Sequence, residues 1–184
     1  MLPVITVQQC APAVHPITMS AVVRHESGGN PLAIHNNTTG LSFKPVSVEQ
    51  AVVLASGMIQ RGESVDLGLA QINSGNLAKL GLSVRAAFDP CQNLAGSQAV
   101  LLDGWYKSGG NLKKMLSAYN TGKTDSTTGV RYADAVYKQA GTVIPAIPVP
   151  LQQGGSDQPV RLKVEWSPAA SPLAPAGQAL QPKW

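Results

Sequence analysis

The sequence predicts a mostly α-helical domain with a small extended region around residues 66–73 and a disordered C-terminal tail. Three observations predict it. Apolar residues recur at helical spacing, between start and stop signals, in five segments. Residues 66–73 break that period: Leu67, Leu69 and Gln71 alternate with Gly68, Ala70 and Ile72, and Gly68 lets another group approach the backbone. From Thr142 the composition changes, with prolines spread through a stretch rich in Ala, Gln, Ser and Gly that lacks the apolar content for a core. The expected organisation is a lead-in over 1–16, a domain over 17–141 and a tail over 142–184.

Pro3, Pro12 and Pro16 punctuate the lead-in, which reads as irregular. A first helix is expected over 17–27, with Thr18 as candidate N-cap and Ile17, Ala21 and Val22 at helical spacing. Gly28, Gly29 and Pro31 end it, and 28–46 reads as a long loop with one extended piece at Leu41, Ser42 and Phe43. Ser47 and Gln50 form a capping box that opens a helix to about Gln60, with Val48, Ala51, Val52, Ala55 and Ile59 on one face. Ser74 and Ser83 are candidate caps for short helical turns. Asp89 followed by Pro90 starts a helix to about Lys107, burying Leu94, Val100, Leu101 and Trp105. Asn111 caps a helix through Leu112, Met115 and Leu116 that Gly122 closes. Residues 123–128 read as a mobile polar connection before a last helix over 129–140. In the tail, 160–166 alternates and could pair as a strand with a partner edge, although the same composition is that of a disordered segment.

The formal net charge of +4 is spread over a chain with only 13% charged residues, and no Lys/Arg run forms a nucleic-acid patch. A weakly basic surface suits an acidic polymer, among other partners. No transmembrane span is present, and residues 1–7 are too short and lack the basic start of a signal peptide, so a trimmed form or another export route is expected. Cys10 and Cys91 lack metal-ligand spacing, and His15, His25 and His35 complete no ligand motif with them; no cofactor is implied. From the residues alone the two cysteines are either free thiols or a pair.

The chemistry centres on Glu26, in the last turn of an apolar helix. There the negative end of the helix dipole, and partial burial, both disfavour an ionised carboxyl, as a general acid near neutral pH requires. A surface glutamate beside a turn would read the same way. Three stretches line up around it: Glu26-Ser27-Gly28-Gly29-Asn30-Pro31, then Gly68-Leu69-Ala70-Gln71-Ile72-Asn73, then Ala118-Tyr119-Asn120-Thr121-Gly122, with Tyr132 in the final helix. In this order and separation they resemble the soluble lytic transglycosylase domain, a lysozyme-like α+β fold, over about residues 10–140. Residues 66–73 and Phe88-Asp89-Pro90-Cys91 resemble most the VirB-type members that accompany type IV secretion and conjugation systems.

The resemblance implies a periplasmic enzyme that cleaves the β-1,4 bond between N-acetylmuramic acid and N-acetylglucosamine in peptidoglycan, leaving a 1,6-anhydro product. Glu26 matches the family's catalytic acid. Ser27 would support the carboxylate or bind substrate, Gln71 would bind an N-acetyl group, and Tyr119 would aim its hydroxyl at the reacting centre. Asn120 would contact sugar and Tyr132 would line the groove. Ser27, Gln71 and Tyr132 have equally ordinary structural roles open to them, as a helix cap, a partner for buried backbone and a core residue. Glu49, Glu63 and Asp66 are the nearest other acids and match no family motif. Ala70 stands where many members have Met, which should open one wall of the groove. A Cys10–Cys91 bridge would fasten the lead-in across the domain and fits an oxidising periplasm. Two other readings share these residues. One is a peptidoglycan-binding scaffold whose tail recruits secretion components. The other is a hydrolytic goose-type lysozyme.

Overall fold

The computed structural model describes residues 4–141, and the tail, including the alternating stretch 160–166, lies outside the described residues. Six helices are present: α1 (Val4–Cys10), α2 (Pro16–Ser27), α3 (Val48–Gln60), α4 (Pro90–Lys107), α5 (Leu112–Thr121) and α6 (Thr127–Ala140). Four short strands, β1 (Ile34–Asn36), β2 (Leu41–Phe43), β3 (Val65–Leu67) and β4 (Ile72–Asn73), form an antiparallel sheet in the order β2-β1-β3-β4. The result is an α+β lysozyme-like fold, as expected from the sequence.

Sequence signals at the helix ends hold with few exceptions. The side chains of Ser47, Asp89, Asn111 and Ser126 each accept a hydrogen bond from a backbone N–H in the first turn of α3, α4, α5 and α6. Gly28 and Gly122 take the left-handed conformation that stops α2 and α5. The cap of α2 is His15 rather than Thr18, because Pro16 occupies the first helical position and moves the start upstream; Thr18 is fully buried inside the helix and Ile17 is exposed. The 123–128 connection is held by hydrogen bonds from Ser117 Oγ and Thr121 Oγ1 to the Lys123 carbonyl, and α6 begins at Thr127.

Two elements depart from the sequence reading. The lead-in is not irregular: α1 packs on α2 and α4, burying Val7, with Ala11 and Val14 buried just beyond it. A seven-residue helix is marginal alone. Tertiary ties hold it, through the Cys10–Cys91 disulfide (Cα–Cα 5.0 Å) and an Ala13 N–H that donates to Gln98 Oε1 at 2.7 Å. The long loop over 28–46 contains β1 as well as the expected β2, because three residues are too few for alternation to register.

The core lies between the helices and one face of the sheet. Met19 and Val22 of α2, Leu94 and Leu101 of α4, Met115 and Leu116 of α5, and Ala133 and Val136 of α6 are buried together with Ile34, Leu67 and Ile72 of the strands. Gly68, at φ +75°, is pressed against α4: a Cβ there would strike the Ala87 carbonyl and Asn93 Nδ2. Gly62 has a similar φ of +77° but open space around it.

Two outcomes are expected from this packing. Gly68→Ala combines left-handed strain with a collision against fixed backbone, and should lower unfolding free energy by about 2–4 kcal/mol. Gly62→Ala carries only the strain, about 1 kcal/mol, and urea denaturation of the two variants separates the contributions. Reducing the disulfide frees a loop of 81 residues and should cost up to about 4–5 kcal/mol, read as a drop in the urea midpoint.

Candidate active site

A turn joins β3 to β4, and its buried backbone organises the site. Every polar group of this turn must find a partner away from water. Asn93, fully buried on α4, donates to the Leu67 carbonyl at 2.9 Å and accepts from the Ala70 N–H at 2.9 Å. Gln71 Nε2 donates to the Gly68 carbonyl at 2.8 Å and to Ala33 at 3.1 Å. Ser27 Oγ donates to the Leu69 carbonyl at 2.7 Å, and the Tyr119 hydroxyl donates to the Ala70 carbonyl at 2.8 Å. Helices α2, α4 and α5 are thus tied to one turn. Gln71 itself sits at φ +51°, a conformation rare outside glycine and held here by those bonds.

Tying Ser27 to Leu69 fixes the end of α2, and the residue before Ser27 is Glu26. Its carboxylate is half-buried and lines a cavity of about 530 Å³. The Tyr132 hydroxyl donates to Glu26 Oε1 at 2.7 Å. Tyr132 is held in turn by His25, whose ring meets it edge-on at 5.0 Å, and by Tyr119, stacked at 6.3 Å. Burial pushes both phenols well above their ordinary pKa, and the nearby Glu26 charge pushes the same way. Both therefore remain neutral hydrogen-bond donors across the physiological range.

Several of the residues singled out by sequence converge. Glu26, Ser27, Gln71 and Asn120 all line the cavity. The Tyr132 hydroxyl donates to Glu26, and the Tyr119 hydroxyl donates to the Ala70 carbonyl and lies 3.0 Å from Ser97 Oγ. With the nitrogen of Gln71 bound to two carbonyls, what the side chain can offer a ligand is its amide oxygen. Ala70 is fully buried and is not among the residues lining the cavity.

The other acids separate clearly. Glu49 is exposed and pairs with Arg85 at 3.3 Å; its own backbone N–H and Arg85 hold its carboxyl below the usual range. Glu63 accepts from Arg61 and from Asn36, which hold it low as well. Neither is placed to hold a proton near neutral pH. Asp66 is different: it is buried, accepts from Asn73 Nδ2 at 2.9 Å and lines the same cavity as Glu26.

Sequence reasoning missed the far wall. His35, Asn37, Ser42, Phe43 and Lys44, from β1, β2 and their flanks, complete the cavity. In register, His35 pairs with Ser42 on one side and Asp66 on the other, and Asp66 pairs with Asn73. Paired residues share a sheet face, so these four polar side chains form a row across it. The alternation Ile34, His35, Asn36 was the available signal, but it covers only three residues. Among the described residues no group of three or more His, Cys, Asp or Glu could hold a metal ion, and no helix is long and apolar enough to cross a membrane.

Comparison with known proteins fits this geometry. The chain is 37% identical over 152 residues to Protein virB1 of Agrobacterium fabrum, covering 78% of this chain and 60% of that protein. It is 45% identical over 96 residues to Type IV secretion system protein virB1 of Brucella abortus biovar 1, covering 52% of this chain and 40% of that protein. The chain thus spans between 40% and 60% of the length of these two relatives. No solved structure matches it. Residues 3–140 match the model of the Transglycosylase SLT domain, and with it the cavity, Glu26 and the turn beneath them: the chain belongs to the transglycosylase SLT domain family.

Proposed function

We propose that this chain is a lytic transglycosylase that cleaves the β-1,4 bond between N-acetylmuramic acid and N-acetylglucosamine in peptidoglycan. The observation that carries the reading is Glu26, a carboxylate at the wall of an open cavity with Oε1 held by the Tyr132 hydroxyl. In the first half of the reaction the Glu26 carboxyl gives its proton to the glycosidic oxygen as the bond from C1 breaks. In the second, the 6-hydroxyl of the same muramic acid bonds to C1 and Glu26 takes that hydroxyl's proton. One C–O bond replaces another, no water is consumed, and the product is a 1,6-anhydro ring. One group that first gives and then takes a proton is sufficient. The substrate's own N-acetyl oxygen can steady the positive charge that develops at C1.

The other side chains position this event. Tyr132 orients the carboxylate. Ser27 and Tyr119 hold the turn that presents Gln71, whose amide oxygen can accept from an N-acetyl N–H. Asn120 lines the cavity and can contact a sugar hydroxyl. One relative's name supplies the setting of a type IV secretion system. Local opening of the wall in the periplasm for such an apparatus is what the resemblance to the VirB-type members implies, and the tail over 142–184, expected from its composition to be a tether, lies outside the described residues.

Asp66 favours a second reading. A second carboxylate in the cavity is what a hydrolytic glycosidase uses, and hydrolysis would leave reducing ends rather than anhydro ends. Mass spectrometry of products from purified peptidoglycan separates the two by the mass of one water.

Expected outcomes follow from these roles. Glu26→Gln keeps shape and hydrogen bonding but cannot shuttle a proton, so release of anhydro-muropeptides should fall about 10²-fold or more while glycan binding persists. Tyr132→Phe removes only the bond to Oε1 and should lower kcat on the order of 10-fold. Glu49→Gln, remote from the cavity lining, should leave turnover near normal. Retained turnover in Glu26→Gln would overturn the proposal.

A further inference from the structure

We propose that the wall of the cavity formed by β1, β2 and Lys44 is a subsite for the carboxylates of the peptide stem carried by muramic acid. The inference rests on the peptidoglycan reading above and extends it from the glycan to its side branch.

The cavity is polarised. Glu26 and Asp66 lie at the end formed by α2 and β3, whereas Lys44 follows β2, the edge strand. With β1 between them, β2 and β3 are separated by two strand spacings, about 10 Å. Lys44 lies two residues beyond Ser42 and both line the cavity. Its ammonium is exposed and makes no ion pair among the described residues, unlike Arg61 with Glu63, Arg85 with Glu49, Lys107 with Asp103 and Lys113 with Asp134. A glycan backbone needs no cation: its hydroxyl and acetamido groups are neutral. A cation at the wall opposite the acids fits an anionic part of the substrate.

A second observation points the same way. Asn37 lines the cavity, and its Nδ2 is a buried donor with no partner among the described residues. Such groups are rare and call for an acceptor. The backbone around it is fixed. Its N–H donates to the Ser64 carbonyl at 2.8 Å, and Asn36 Oδ1 accepts from the N–H groups of Thr38 and Thr39. The side chain's last torsion is soft, so a small rotation presents the amide to an arriving carboxylate. Between the two, His35 Nδ1 and Ser42 Oγ lie 2.9 Å apart and add polar groups to the same wall. An unpaired cation and an unsatisfied donor on one rigid hairpin are the complement of a carboxylate.

The carboxylate could belong to the stem or to the lactyl group that a bare muramic acid exposes. Calorimetric binding of two soluble ligands to the full chain distinguishes them: a N-acetylglucosamine–N-acetylmuramic acid disaccharide bearing a tetrapeptide stem, and the same disaccharide without it. The stem-bearing ligand should bind tighter, and added salt should erode the difference. Lys44→Gln, an exposed position, should weaken the stem-bearing ligand about 5-fold and leave the bare disaccharide unchanged. Asn37→Ala should act in the same direction. Weakening of the bare disaccharide alone would assign the wall to the lactyl carboxylate, which is tied up as an amide in the stem-bearing ligand, and would overturn the proposal, as would equal weakening of both ligands or no weakening of either. Binding is read without catalysis, so a Lys44-dependent stem preference in a chain that fails to cleave peptidoglycan would uphold the subsite while removing the transglycosylase reading.

Discussion

The backbone of residues 67–71 is the constraint on which the site depends. A tight turn at the end of two short strands cannot satisfy its own carbonyls, and this one is buried beneath three helices. Each exposed peptide group would cost roughly 1–3 kcal/mol if left unmet. Asn93, Ser27, Tyr119 and Gln71 meet five of them, from α4, α2, α5 and the turn itself. Because the partners come from separate helices, satisfying the turn also fixes where those helices stand. The end of α2 is set by Ser27, and with it the direction in which Glu26 leaves the helix. Gly68 is required for the same reason: only a residue without Cβ lets the Asn93 amide come this close.

The sheet divides the molecule's two tasks between its faces. Ile34, Leu67 and Ile72 are buried with the helical core, while His35, Ser42, Asp66 and Asn73 form a polar row whose first three members line the cavity. Period-two alternation makes this division automatic once register is set. Glu63 helps to set it from outside: bonded to Arg61 and to the Asn36 amide, it anchors the β1–β2 hairpin to the segment leading into β3. An acid that sequence proximity made a candidate for chemistry is therefore a clamp on the wall of the site.

What the sequence revealed follows the length of each signal. Helices α3 to α6 were legible because their apolar faces repeat over ten residues or more, and the caps of α3 to α5 because Ser47, Asp89 and Asn111 act locally, whereas the α6 cap, Ser126, fell in a stretch read as mobile. Glu26, Ser27, Gln71 and Asn120 were legible as motif residues, and they do meet at one cavity. Helix α1 was hidden, since seven residues flanked by prolines carry little propensity and the helix depends on a distant cysteine. Strand β1 was hidden by its brevity. That the Tyr132 hydroxyl bonds Glu26 and the Tyr119 hydroxyl bonds the turn could not be read at all. Both are tyrosines on amphipathic helices, and only the packing of α5 against α6 decides which hydroxyl reaches Glu26 and which reaches the turn.

The placement of the two tyrosines bears on proton traffic. Two phenols stacked beside a carboxylate could compete with it as proton carriers. Burial prevents this, because it raises both phenols far above neutrality, and the adjacent Glu26 charge raises them further. Each tyrosine is then a fixed donor: Tyr132 to the carboxylate, Tyr119 to the turn that carries Gln71. A donor that never ionises contributes direction without exchanging protons. Under the proposed mechanism this leaves the carboxyl of Glu26 as the group that changes protonation during the reaction. The same burial that keeps both phenols neutral keeps them out of the proton transfers that this mechanism assigns to Glu26.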